Sequence, residues 1–202
     1  MPSIVVVGGP NGSGKTTLTS HLIQRGRIKT DVINPDSIAL NEFGGYQFHL
    51  KAARVALEKR HASIELNSNL AFETTFSGHS EIRDIVLARS LGYETVLYYV
   101  ALQSILDNII RVEERKTNMG HNVELEDLIR RYDKSKANLI KHINLFDRAY
   151  LFDNSGSKRS RVAIFNNGKL SWLNARHNNH PFYKELFLAS STNSTSATGL
   201  NK

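Results

Sequence analysis

Residues 9–16 read Gly9-Pro10-Asn11-Gly12-Ser13-Gly14-Lys15-Thr16, and the apolar run Ile4-Val5-Val6-Val7 stands just before them. The octet fits G-x-x-x-x-G-K-[ST] at every fixed position. Its glycines let the backbone curl so that N–H groups converge on phosphate oxygens. Lys15 supplies a cation for the β and γ phosphates of ATP, and Thr16 offers a hydroxyl to magnesium. The helix that begins here turns its positive end toward the anion. The apolar strand before the loop and the helical pattern after it are the setting this motif requires. Gly9 through Thr16, with Thr17 next in line, are the candidate nucleotide-binding residues, and Thr16 is the candidate metal ligand.

Working outward from the loop, strands and helices alternate, which predicts an α/β fold with parallel strands. Strands are expected at Ser3–Val7, Asp31–Asn34, Asn69–Glu73, Glu94–Val100 and Arg148–Asp153. Helices are expected at Lys15–Arg25, Gln47–Leu66, Ser80–Leu91, Ser104–Arg115 and Glu124–Asp147. Lys116–Val123 reads as a mobile turn, and the long helix after it could kink near Ser135. Arg161–Phe165 and Lys169–Trp172, split by Asn166-Asn167-Gly168, read as a hairpin. The pattern amounts to a P-loop NTPase three-layer sandwich: a central, mostly parallel five-stranded sheet, a helical lid and a small C-terminal hairpin. One domain is expected over residues 1–188. The Ser- and Thr-rich end, residues 189–202, reads as a disordered tail.

The chain has 202 residues, is 40% hydrophobic and 22% charged, and carries a formal charge of +7. No stretch approaches the roughly 18 apolar residues of a membrane span. There is no signal-peptide pattern, and with no cysteine there is neither a disulfide nor a thiolate zinc site. A cytoplasmic location is the expectation. The positive charge is scattered in pairs such as Arg130–Arg131 and Lys158–Arg159, without a basic block or an aromatic-interleaved RNA motif. That pattern favours small phosphorylated ligands over nucleic acid.

No [NT]-K-x-D guanine-reading sequence and no apolar strand ending in Asp-Glu is present. Two carboxylates stand at strand ends instead. Asp36 is placed to orient and deprotonate an acceptor hydroxyl, or else to cap a helix starting at Ser37. Glu73 could hold the acceptor, hold a magnesium-bound water, or form a buried pair with a basic residue. Arg111 and Arg115 share a helix face. With Arg130 and Arg131 they form either a phosphate-neutralising lid or a solvated helix surface. Asp153-Asn154-Ser155-Gly156 reads equally as a loop beside the adenine or as a turn. His177 and His180 read as surface loop, since two histidines alone make no metal site. Trp172 is placed in the core or on a small-sheet face.

The ordered segments GPNGSGKTTL, INPDSIA, FETTFSG, LGYETVLYYV, RVEERKTNMGHNV, IRRYDKS and LFDNSG, spread between Ile4 and Phe165, resemble the zeta-toxin-like P-loop kinases. The closest likeness is to the short stand-alone branch often labelled predicted ABC-type ATPases, although the chain has no LSGGQ-like signature. The resemblance implies an ATP- and magnesium-dependent kinase acting on a small-molecule hydroxyl, with UDP-N-acetylglucosamine the acceptor of the best-understood members. It implies Lys15 and Thr16 on ATP and magnesium, Asp36 as general base, Glu73 at the acceptor and Arg111 on the phosphates. It also implies a second lid arginine among Arg115, Arg130 and Arg131, and an antitoxin protein as a partner. The rival readings are a kinase of a nucleoside, an antibiotic or a polynucleotide end, and an ATPase switch with no acceptor.

Overall fold

The computed structural model describes residues 1–119 and 124–195. At its centre β1 (Ser3–Gly8) is apolar on both faces. Ile4 and Val6 enter one core while Val5 and Val7 enter the other, as a strand buried between two layers requires. β3 (Leu70–Thr74) and β4 (Glu94–Ala101) flank it in parallel. β2 (Val32–Ile33) lies beyond β3, and β5 (Arg148–Asp153) lies beyond β4, both parallel.

The sheet does not stop at five strands. β6 (Ser160–Asn166) pairs antiparallel with β5, and β7 (Lys169–Leu173) pairs antiparallel with β6. The order is β2-β3-β1-β4-β5-β6-β7. The expected hairpin is thus the edge of the main sheet, because Val162, Ala163 and Phe165 complete the same core as β4 and β5. Asn167 and Gly168, at φ 48° and 74°, make the tight turn that an Asn-Gly pair favours.

The two helical layers are unequal. α3 (His49–Glu65), α4 (Ser80–Ser90), α6 (Leu125–His142) and α7 (Lys184–Thr195) meet one face through Ile64, Ile85, Leu139 and Leu186. α1 (Lys15–Gln24) meets the other face through Leu18 and Leu22. α2 (Pro35–Phe43) rests on α3 around Ile38, Ala39, Ala52 and Ala56. α5 (Ile105–Met119) joins α6 through a small cluster centred on Val112 and Leu128.

Three boundaries depart from expectation. α5 continues through Met119, so the segment read as a turn is helical up to that point, and residues 120–123 lie outside the described residues. α6 runs unbroken past Ser135 and ends at His142 in a 3-10 turn, Ile143–Leu145. No kink arises because the buried Ser135 hydroxyl is engaged outside its own helix, with Thr75 O at 2.5 Å and the Tyr99 hydroxyl at 2.7 Å. α7 runs to Thr195, past Leu188, where the tail was expected to begin. Its Ser190 and Ser191 hydroxyls bond back to Leu186 O and Phe187 O, so a composition that suggested disorder finishes a helix instead. Residues 196–202 lie outside the described residues. No described helix is long and apolar enough to cross a membrane.

Candidate active site

The phosphate loop leaves the carboxyl end of β1, where the strand order reverses and ligands bind in open α/β sheets. Three of its glycines, Gly9, Gly12 and Gly14, hold positive φ angles at which a Cβ would also collide with a neighbour. Gly9 has φ 149°, and a Cβ there would stand 2.1 Å from Val100 O. Gly14 has φ 94°, and its Cβ would meet Asn154 Nδ2 at 2.4 Å. The loop is braced from neighbouring elements. Asn154 Nδ2 donates to Ser13 O at 2.9 Å, and Asn108 Nδ2 donates to Asn11 O at 2.6 Å. Lys15 Nζ bridges the carbonyls of Gly9 at 2.9 Å and Pro10 at 3.0 Å. Burial holds the Lys15 ammonium below the ordinary lysine range, against the opposing pull of the Glu73 and Asp36 carboxylates, with Arg115 adding to the lowering.

The carboxylate of Glu73 is buried at the end of β3 and accepts from Thr16 Oγ1 at 3.0 Å. Its partner is therefore the hydroxyl of the phosphate loop, not the basic residue that an ion-pair reading would supply. Asp36 does not cap its helix. α2 starts at Pro35, and the capping side chain is that of Asn34, which accepts from Asp36 N at 2.9 Å. Asp36 lies in the first turn with its carboxylate free of that duty, on the wall of a cleft of about 1290 Å³. Lys15, Thr16, Thr17, Glu73, Arg111 and Arg115 line the same cleft.

The arginines separate. Arg111, on α5, donates to Asn154 O at 2.9 Å and so ties the lid to the end of β5. Arg115, one turn on, and Arg131, on α6, also line the cleft. Arg130 does not. It pairs with Asp127, at 2.6 Å, at the cleft's solvent-exposed rim, and Arg131 reaches the same carboxylate at 3.6 Å. Neighbouring positions on a helix point about 100° apart, and of this pair only Arg131 lines the cleft itself.

Several cleft-lining positions carried no signal in the sequence. Arg54 and His49, from α3, and Ser80 and Glu81, from the start of α4, line the same cleft. Burial would raise the Glu81 carboxyl, but hydrogen bonds from its own N–H, Thr74, Gly78 and Ser80 outweigh it and hold it low. They fix the loop after β3, where Phe76 is held at φ 59°, a costly conformation for a bulky side chain. Ser135 and Asn138 of α6 bond the carbonyls of Thr75 and Phe76, so lid helix and loop are one unit. A G-x-x-x-x-G-K-T motif signals its own contacts, but nothing local signals these.

The surface-loop reading of His177 and His180 is wrong. His180 is buried, His177 is half-buried, and both face Asp153 at the end of β5. Asp153 and Ser155 close an Asx turn, with Ser155 N donating to Asp153 Oδ1 at 2.9 Å. Asn154, between them, reaches the phosphate loop. The 153–156 segment is thus both a turn and a wall of the site.

No protein-family model matches the chain. An uncharacterised protein of Haemophilus influenzae is 31% identical over 124 residues, covering 60% of this chain and 86% of that protein. A chain in the crystal structure of AvrRxo1-ORF1:-ORF2 with ATP superposes with a TM-score of 0.67 at 18% identity, covering 93% of this chain and 64% of that one. The present chain therefore spans slightly less than two thirds of that protein's length. A chain of the PezAT chromosomal toxin–antitoxin system of Streptococcus pneumoniae superposes with a TM-score of 0.61 at 19% identity, covering 98% of this chain and 88% of that one. The fold is the one these P-loop proteins share.

Proposed function

We propose that this chain, which belongs to the same family as the Haemophilus influenzae protein, is an ATP-dependent kinase that transfers the γ-phosphate to a hydroxyl of a small metabolite. The observation that carries the reading is the convergence of Lys15, Thr16, Glu73, Asp36, Arg111 and Arg115 on one cleft. A nucleotide switch needs the first three. It has no use for a carboxylate free of structural duty on the opposite wall.

In this reading the loop amides and Lys15 hold the triphosphate. Thr16 Oγ1 and Glu73 Oε2, 3.0 Å apart, are hard oxygen donors of the kind magnesium takes. Bound with ATP, the ion would neutralise charge on the β and γ oxygens. Glu73 thus belongs to the metal side, with the acceptor left to Asp36 and the α3–α4 wall. Asp36 accepts the proton of the acceptor hydroxyl as its oxygen bonds to the γ-phosphorus. The bond from that phosphorus to the bridging oxygen breaks and ADP leaves. Arg111 and Arg115 stabilise charge spread over the transferring group, an effect largest in the transition state. The likeness to zeta toxins makes a nucleotide sugar such as UDP-N-acetylglucosamine the first acceptor to try. An antitoxin partner belongs to the same reading, since one similar fold comes from a toxin–antitoxin system. The test is incubation with ATP, magnesium and either UDP-N-acetylglucosamine or a metabolite extract, read by mass spectrometry. A compound heavier by one phosphate supports the kinase. ATP hydrolysis at a rate indifferent to every acceptor would leave an ATPase.

A further inference from the structure

Behind the phosphate loop, on the far side of Asn154, three side chains with metal-ligating atoms converge. Asp153 comes from the end of β5, His177 from the 3-10 turn Ala175–His177, and His180 from the segment just after it. One ligand atom from each lies within 4.8 Å of the others. His180 Nε2 is 3.4 Å from Asp153 Oδ1, and His177 Nδ1 is 3.9 Å from Asp153 Oδ2. Ligand atoms around a tetrahedral zinc stand about 3.3 Å apart, from bond lengths near 2.0–2.1 Å, so the longest edge of this triangle would have to close by up to about 1.5 Å on binding, a shift of side-chain rotation and not of the backbone.

Two further observations favour an ion over a bare polar cluster. His180 is 3% exposed, and the only polar group its buried Nε2 meets among the described residues is the Asp153 carboxylate, at a long 3.4 Å. A buried nitrogen held that loosely is poorly satisfied, and an ion between the two groups would satisfy both. His177 already has the outer partner that metal-bound imidazoles use, because its other nitrogen, Nε2, lies 2.9 Å from Ser160 Oγ. One local cost is visible. Phe182 N donates to His180 Nδ1 over a long 3.3 Å, and an ion on Nε2 would place a proton on Nδ1 and release that bond.

We propose that Asp153, His177 and His180 form a structural site for a divalent ion of the zinc class, separate from the magnesium position at Thr16. Nitrogen and carboxylate donors in a compact buried site suit zinc and not magnesium, which prefers oxygen and retained water. The ion clamps the end of β5 to the C-terminal segment. Because Asn154 bonds Ser13 O and receives Arg111, the clamp also holds one wall of the nucleotide site.

The experiment uses the full chain without a histidine tag, stripped of metal and titrated with Zn²⁺ by calorimetry and with Co²⁺ by visible absorption. One equivalent of Zn²⁺ should bind and raise the melting temperature, and Co²⁺ should give the intense bands of a four-coordinate site. His177→Ala should lower zinc affinity by more than about 100-fold, beyond what losing an outer hydrogen-bond partner costs. His61→Ala, remote from the cluster, should bind as the parent does. His177 is partly exposed, so its alanine variant is expected to keep the fold, checked by circular dichroism without metal. Absence of binding in the parent, unchanged affinity in His177→Ala, or a six-coordinate Co²⁺ spectrum would overturn the site.

Discussion

The phosphate loop and the lid meet across the same cleft, yet they are held in different ways. The loop is fixed through its backbone. Its glycines occupy conformations closed to other residues, its carbonyls are tied to Lys15, Asn108 and Asn154, and β1 beneath it is buried on both faces. The lid is fixed through side chains. α5 meets α6 at a small cluster around Val112 and Leu128, and its working groups are long arginines on helix surfaces. Backbone geometry is a property of a few adjacent residues, whereas the reach of an arginine depends on where tertiary packing puts its helix. The loop is therefore readable from its own residues, and the lid is not.

The largest loss is expected at Lys15. Lys15→Ala should fold normally and lose about 10²- to 10³-fold in turnover, the usual cost of removing a group aimed at transition-state charge. Wild-type turnover in the purified variant would remove the loop from the chemistry. Gly14→Ala tests the backbone side of the contrast. The strain of a Cβ at φ 94°, with Asn154 Nδ2 at 2.4 Å, should weaken ATP binding by about 10- to 100-fold, from roughly 1–3 kcal/mol of conformational cost. Undiminished affinity by calorimetry would mean that the loop is softer than its glycines indicate.

The lid should respond differently. Arg115→Ala should lower kcat by about tenfold, the scale of one charge-assisted hydrogen bond, while leaving ATP affinity nearly unchanged. Equal losses in both would make it a ground-state contact. Arg130→Ala should change kcat less than about twofold, because Arg130 does not line the cleft and its pair with Asp127 is open to solvent. A drop matching that of Arg115→Ala would show that the lid rearranges to bring Arg130 inward.

The sequence reading follows the same division. The loop, the parallel strands around it and the seating of Lys15, Thr16 and Glu73 were legible because motif and hydrophobic runs act locally. Asp36 does line the cleft, and its alternative as a cap was avoidable. Pro35 favours the first helical position, which makes Asn34 the cap. Arg111 and Arg115 share a face by helical spacing and do line the cleft together. The choice between Arg130 and Arg131 depends on how α6 is rotated against α5 and the loop after β3, which no local pattern states. The hairpin's place in the main sheet and the burial of His180 were hidden for the same reason. Both depend on pairing with β5, remote in the chain. His180 in particular has no meaning until Asp153 is beside it.

The most direct test of the account is Asp36→Asn, assayed for nucleotide binding by calorimetry and for acceptor phosphorylation by mass spectrometry on the same preparation. Because Asn34 is the cap and Asp36 is not, the substitution should leave α2 and stability intact. Lys15, Thr16 and the loop amides are untouched, so ATP and magnesium should bind as before. Transfer should fall by about 10²- to 10⁴-fold, the contribution of a positioned acid–base group. Phosphorylation at the parent rate would contradict the kinase mechanism proposed for this cleft.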